Sequence, residues 1–416
     1  MLFVVLGGAA GVAMVELDSS LEDQAAGLPF ILTSTVGSAR EVLSVVAAAT
    51  ITVAGVAFSI SLLVIQQASS QYSPRVVHSL FRDPFNRRIL GLALGTFTYS
   101  LMVLRAVRSP LEQNGEPVIP NVSVGVAVVL GVAALLGIIA FIDHNAHSME
   151  VSQILHRVTR DTIEHLEEGW TGSDSPPGES PNGQPPDEGH TLLLQESGWI
   201  QQVSAERLLD LVPDGGTVRL ETRAGRYAVA GTPLCTLWPR PDDPDQAATD
   251  AKGAIAVGPT RTMQQDPSYG IRQLADVALV ALSPGVNDPT TAQDAIFHLA
   301  DVLRVVLARD AAREVECDDR GRRLIHAHRH THTDLARLAF DEIRRAAGPH
   351  PAVCIYLLEA LHLLEQSLPT GAESHGDELR RQAELVVAGA EASDLLVADL
   401  GEVRRVHLRL FVAPVG

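Results

Sequence analysis

The sequence predicts an α-helical integral membrane domain of four transmembrane helices. A soluble α+β cytoplasmic domain follows, with a small β module and a helical C-terminal part. Two observations carry this reading. Apolar runs of membrane-crossing length crowd before Ile142, whereas Pro-, Asp- and Arg-rich sequence dominates after it. Acidic residues outnumber basic ones by 50 to 32, a net charge of −18, which argues against a nucleic-acid partner because a phosphate backbone requires a basic face. Cys235, Cys317 and Cys354 show no paired spacing and read as reduced thiols rather than a disulfide frame or a metal knot.

The membrane part, residues 1–142, is read span by span. A helix needs about 20 apolar residues to cross the hydrocarbon core. Val42 to Ile65 and Val122 to Ile142 meet that length without one charge. Ile89 to Val107 meets it if Arg105 lies near an end and reaches the headgroups. Met1 to Val15 is shorter, but no basic stretch precedes it and three spans follow, so it reads as an uncleaved first helix rather than a signal peptide. Arg75, Arg82, Arg87 and Arg88 fill the loop between the second and third spans, whereas Glu16, Asp18, Glu22 and Asp23 follow the first and Glu112 and Glu116 the third. Positive loops stay in the cytoplasm, so both termini are expected inside, with membrane lipids around the spans. Within the middle loop, Ser73-Pro74 predicts a short helix at the inner headgroups, and Asp83-Pro84 starts the third span.

No Asp, Glu, Lys or His sits in mid-membrane, which speaks against an ion-coupled pump. Gly7 with Gly11, and Gly91 with Gly95, have the spacing that lets helices approach closely. Hydroxyls within the spans serve plain helix packing on one reading. On the other they line a pore in a homo-oligomer, with Thr50, Ser59, Thr96 and Ser100 as the pore-lining candidates.

Residues 143–168 are expected to continue the last span as an amphipathic helix. His144 and His147 share a face at its start, where ordinary hydrogen bonding outweighs a metal role. Residues 169–189 (GWTGSDSPPGESPNGQPPDEG) have the composition of a disordered linker. Residues 190–260 predict the β-rich module. Its strands are expected at Gly198–Val203, Thr217–Thr222, Tyr227–Gly231 and Thr232–Trp238, with a short helix capped by Ser204 and running through Val212. GRYAVAGTPL is similar to the hairpins of lipoyl- and biotinyl-type barrels, yet no lysine lies there to carry a prosthetic group, and no cofactor is expected.

Residues 261–416 predict a mainly helical region. Asp266-Pro267 and Asp288-Pro289 start two helices, the first running to about Leu282 and the second to about Arg309. Arg272 and Asp276 stand one turn apart in the less favourable base-before-acid order, so helix stability alone is a weak reason for the pair. Arg261, Gln265, Asp266, Arg272, Asp276, Asn287, Asp288, Thr290 and Thr291 form the candidate polar cluster. They are expected either to converge near the two helix starts on a small ligand or to tie the helices to the β module. Without a nucleophile–base pair, phosphate loop or metal motif, no catalytic residue and no metal ligand is assigned. His326, His328, His330 and His332 alternate, but no cysteine or carboxylate at ligand spacing joins them, so an exposed run outweighs a metal site. Further helices are expected at Leu335–Ala347, Ala352–Ser367 and Asp377 to about Leu400.

Two stretches, QQASSQYSPRVVHSLFRDPFNRRILGLALGTFTYSLMVLRAVR and RTMQQDPSYGIRQLADVALVALSPGVNDPTTA, resemble the signature blocks of a bacterial membrane-protein family catalogued as domain of unknown function 2254. The resemblance covers most of the chain. It implies a multi-pass protein of the bacterial inner membrane with a soluble C-terminal part, and it implies no activity. The Pro-rich linker and the histidine run depart from the family pattern, which further weakens a metal role. Three functions stay open: an oligomeric ion channel or passive transport protein regulated by its cytoplasmic domain; a non-catalytic sensor or scaffold; and a membrane-anchored enzyme working at the Arg261–Thr291 cluster.

Overall fold

The structure, a computed structural model, describes residues 2–20, 35–71, 84–107, 120–148, 150–169, 189–309, 314–369 and 373–412. They fall into two compact units, residues 1–153 and 154–416. The expected middle-loop helix and Pro-rich linker lie outside the described residues.

The first unit holds α1 (Leu2–Ser20), α2 (Val36–Gln71), α3 (Pro84–Ala106) and α4 (Asn121–Ser148). Among the described residues, three stretches are long and apolar enough to cross a membrane: Val36–Gln66, Pro84–Ala106 and Asn121–Asn145. Their outer surface is bare hydrocarbon, with Val45, Phe58, Leu63, Val129, Leu136 and Ile139 more than half exposed, a face that lipid solvates and water does not. α1 runs parallel to α3 along a seam of small residues. A Cβ on Gly7 would overlap the Gly95 carbonyl, one on Gly91 would strike the Phe3 ring, and one on Gly11 would lie 2.8 Å from Met102 Cβ. Both expected glycine pairs thus meet in a single close approach, with a backbone nearer than any side chain allows.

Polar groups fix the helix ends. Asp18 accepts from Ser123 N and Ser123 Oγ, both at 2.8 Å, and so caps α4 from the end of α1. The Tyr99 hydroxyl donates to Ser123 O at 3.1 Å, and Arg40 donates to Val107 O at 3.0 Å. The ends of α1 and α3 therefore share one side with the starts of α2 and α4. On the other side, the Asn86 and Asn145 amides exchange bonds of 3.2 and 3.1 Å. α4 is described as far as Ser148, and α5 (Val151–Gly169) follows it, with residue 149 outside the described residues.

Residues 154–166 of α5 begin the second unit. Its β part comprises β1 (His190–Leu193), β2 (Gly198–Val203), α6 (Ala205–Leu209), β3 (Thr217–Leu220), β4 (Tyr227–Ala228), β5 (Pro233–Trp238), α7 (Pro244–Ala254) and β6 (Ile255–Gly258). Helices α8 (Pro267–Ala281) and α9 (Pro289–Leu307) follow, then β7 (Val315–Cys317) and β8 (Arg323–His326). The chain closes with α10 (His332–Ala347), α11 (Pro351–Gln366), α12 (Glu373–Glu391), α13 (Val397–His407) and a π-helical turn at Leu408–Val412. One sheet has the order β1-β5-β3-β8-β7 and the other β4-β2-β6. Both cover one core, in which Ile200, Leu208, Val218, Leu237, Ala251 and Leu324 have no exposure.

Two features differ from expectation. The larger sheet is not complete within 190–260, because β8 pairs in parallel with β3, Val218 beside Leu324, and brings β7 with it. The single helix expected from Asp377 to Leu400 is two, α12 and α13. The chain breaks between them where Ser393 packs against Gly348, whose missing Cβ makes room.

Candidate functional site

The start of α8 gathers charged and aromatic side chains: Arg261, Asp266, Trp199 and Tyr269. Arg261 leaves β6 and turns back onto Asp266, which is 1% exposed. Its Nε donates to Asp266 Oδ2 at 2.6 Å and its Nη2 to Ser268 Oγ at 2.7 Å, while the Ser268 hydroxyl donates to Asp266 Oδ1 at 2.5 Å. The guanidinium lies 5.6 Å from the Trp199 ring centre and 5.2 Å from that of Tyr269, within the range of cation–π attraction. Asp266 therefore makes no side-chain cap to α8 although it holds the cap position. Gly225, at φ +80°, presses its Cα against this carboxylate, where a Cβ would overlap it.

The turn that holds Gly225 also carries Arg223. Its guanidinium contacts His330 Nε2, on the segment leading into α10. Burial, and next the Arg223 charge, hold the His330 imidazole down at about 4, so it is neutral at pH 7. Burial also lowers Arg223, opposed by Asp266 and reinforced by Arg261 and Arg226. Segments from both sheets and from the starts of two helices thus meet here. Sequence reasoning missed Trp199, Arg223, Ser268 and Tyr269, and placed His330 in an exposed histidine run rather than here; the Arg-Ala-Gly-Arg turn was the signal for Arg223.

The other members of the predicted cluster lie elsewhere. Gln265 brackets the Val203 backbone, accepting from its N at 2.8 Å and donating to its O at 3.1 Å, and so ties the loop to β2. Arg272 bonds Asp276 at 2.7 Å and grips Glu342 of α10 with two nitrogens, at 2.5 and 2.9 Å. The Glu342 bond is the main reason its basicity rises. This joins α8 to α10. Asp288 caps α9, accepting from Thr290 N and Thr291 N at 3.1 Å and from Thr291 Oγ1 at 2.6 Å, and the Thr291 bond leads in lowering its pKa. Asn287, at φ +49°, makes the turn before it. The expected convergence of the two helix starts fails for a simple reason. α8 and α9 form a hairpin closed by Asp288 N donating to Ala281 O, so the whole of α8, 15 residues and about 22 Å long, lies between Asp266 and Asp288.

The pore-lining candidates also divide. Thr50, Thr96 and Ser100 are 2% exposed or less, turned inward among the helices of their own chain. Thr50 and Thr96 donate to the carbonyls of Val46 and Leu92. Ser59, bonded to Gly55 O, faces outward.

The four histidines go to four surroundings instead of one strand face. His326 Nε2 meets Glu316 at 2.9 Å, His328 is exposed, His330 meets Arg223, and His332 is buried in α10 with its ring 4.4 Å from that of His375. The expected exposed run is thus partly buried. Among the described residues no three His, Cys, Asp or Glu side chains are placed to hold a metal ion. The His326 bond, and with it Arg329 at 2.6 Å, pulls Glu316 from 4.5 to about 2 against its burial. A depressed carboxylate stabilises the fold above its ordinary value and loses that contribution as pH falls through the depressed one. Glu316→Gln is therefore expected to lower the unfolding temperature at pH 7, with the gap to the parent protein closing between about pH 4.5 and 2.

Apolar helices of membrane-crossing length joined to an α+β unit define a membrane protein with a substantial soluble part. The chain belongs to the family described as Predicted membrane protein (DUF2254), whose model matches residues 1–362. It is 32% identical over 370 residues to uncharacterized proteins of Mycobacterium bovis and of Mycobacterium tuberculosis strain H37Rv, and 31% identical to one of strain CDC 1551. Each match covers 87% of this chain and 70% of the relative. No solved structure matches the chain.

Proposed function

We propose that the protein is a membrane-anchored sensor: a small ligand at the start of α8 is read out through α5. The proposed setting is the bacterial inner membrane, with α1 as a fourth span and both termini in the cytoplasm. The observation that carries the reading is the seat of α5 on α8. Thr162 of α5 occupies the space where a Cβ of Gly270 would be, and Gly270 stands one turn beyond Asp266. A shift in the first turn of α8 has no slack at that contact and must move α5. In sequence α5 begins within a few residues of the last membrane helix, which makes it the output element of the proposed sensor.

The test is amide hydrogen exchange on the full-length protein in lipid nanodiscs. Arg261→Gln is expected to raise exchange across residues 154–166 while α12 keeps its protection. Unchanged exchange in α5 would remove the sensor reading. A passive pore in a homo-oligomer is second, since among the four hydroxyl candidates it has Ser59 on an outward face. Potassium, sodium and chloride flux through reconstituted protein, with Ser59→Leu as the comparison, decides it.

A further inference from the structure

We propose that Arg223, with His330 and Arg261 beside it, binds a phosphate-type oxyanion. This rests on the ligand-binding reading above and names the ligand's chemistry.

Arg261 and Arg226 both repel the Arg223 charge, and the carboxylates that act on Arg223 are Asp266 and Asp334. Both are already engaged. Asp266 accepts from Arg261 and Ser268. Asp334 closes a capping box with Thr331 at the start of α10, through bonds of 3.0 Å in each direction. Among the described residues no carboxylate lies within ion-pair distance of Arg223. Its side-chain partner is a neutral imidazole. A half-buried guanidinium with unused N–H donors is costly in a folded protein unless an acceptor from outside completes it. That this surplus positive charge persists in a chain of net charge −18 points to an anion.

The donors around it define the class. Arg223 offers a planar fork matched to oxyanions. His330 turns Nε2 toward Arg223 as the acceptor, which leaves its Nδ1 as the protonated, donating nitrogen. Guanidinium and imidazole donors from separate chain segments suit a tetrahedral anion with several acceptor oxygens better than a planar carboxylate.

The experiment is calorimetric titration of full-length protein in detergent with sodium phosphate, glycerol phosphate and sodium acetate at constant ionic strength. Saturable binding of either phosphate, weakened at least about tenfold by Arg223→Gln and unchanged by the surface control Arg304→Gln, is expected; tenfold is about 1.4 kcal/mol. Tighter binding of glycerol phosphate than of phosphate assigns the site to an ester. Arg223→Lys keeps the charge and loses the fork, and is expected to weaken binding about threefold or more; it serves as the test if the glutamine variant does not fold. Absence of saturable phosphate binding, equal binding of acetate, or binding indifferent to Arg223 would overturn the proposal. Phosphate binding with α5 unmoved by Arg261→Gln leaves this site and removes the sensor; a moved α5 without phosphate binding does the reverse.

Discussion

Asp266→Ala is expected to destabilise the full-length protein by about 3–5 kcal/mol, the loss typical when one partner of a buried ion pair is removed. The carboxylate is 1% exposed and is held by Arg261, by Ser268 and by the close approach of Gly225. Removing it leaves Arg261, itself 19% exposed, with its Nε unpaired beside Arg223. Two guanidinium groups would then face each other with no carboxylate between them. Asp288→Ala is the matched comparison. Asp288 also precedes a proline and starts a helix, but it acts as an ordinary cap on an accessible turn, and its loss is expected to cost about 1 kcal/mol. Chemical unfolding followed by circular dichroism distinguishes the two. Equal losses would show that the buried pair contributes no more than an ordinary helix start and that the cluster around it is incidental.

That contrast also marks what sequence can and cannot convey. Asp266-Pro267 and Asp288-Pro289 are the same local signal, and both do start helices. Local chemistry does not say that Asp266 abandons its cap for Arg261, because that choice depends on Trp199 of β2 and Gly225 of the turn before β4, both far away along the chain. The base-before-acid order of Arg272 and Asp276 was a better clue. An unfavourable helix pair needs another partner, and Glu342, 70 residues away, supplies it. The three long apolar stretches were legible from their length: two hold more than 20 uncharged residues in a row, which few other structures use, and the third keeps Arg87, Arg88 and Arg105 near its ends. Which face of each turns inward was not. These helices are apolar all round, so periodicity could not show that Thr50, Thr96 and Ser100 point into their own bundle. β7 and β8 were lost for a related reason. A parallel pairing of β8 with β3 joins segments about a hundred residues apart, and short strands separated by helices carry no local mark of their partner.

Gly7→Leu is expected to part α1 from α3 and cost about 1–3 kcal/mol, the usual range for forcing atoms into a packed contact. Gly7 meets the Gly95 backbone carbonyl, not the far end of a flexible side chain. A rotamer change cannot relieve that clash, so one helix must move. Movement of α1 carries Asp18 with it, and α4 then loses the carboxylate that bonds Ser123 N and Oγ. The effect should therefore reach α4, whose first turn is about 100 residues away in sequence. Gly55→Leu is the control, since a Cβ there meets nothing within 4 Å, and it is expected to be nearly neutral in lipid or detergent. The readout is thermal unfolding of the detergent-solubilised protein together with hydrogen exchange at residues 121–126. Loss of stability at Gly7 with raised exchange at the start of α4 fits a seam that positions the cap. If Gly7→Leu and Gly55→Leu behave alike, α1 does not depend on close approach to α3, and its place beside that helix must come from some other contact.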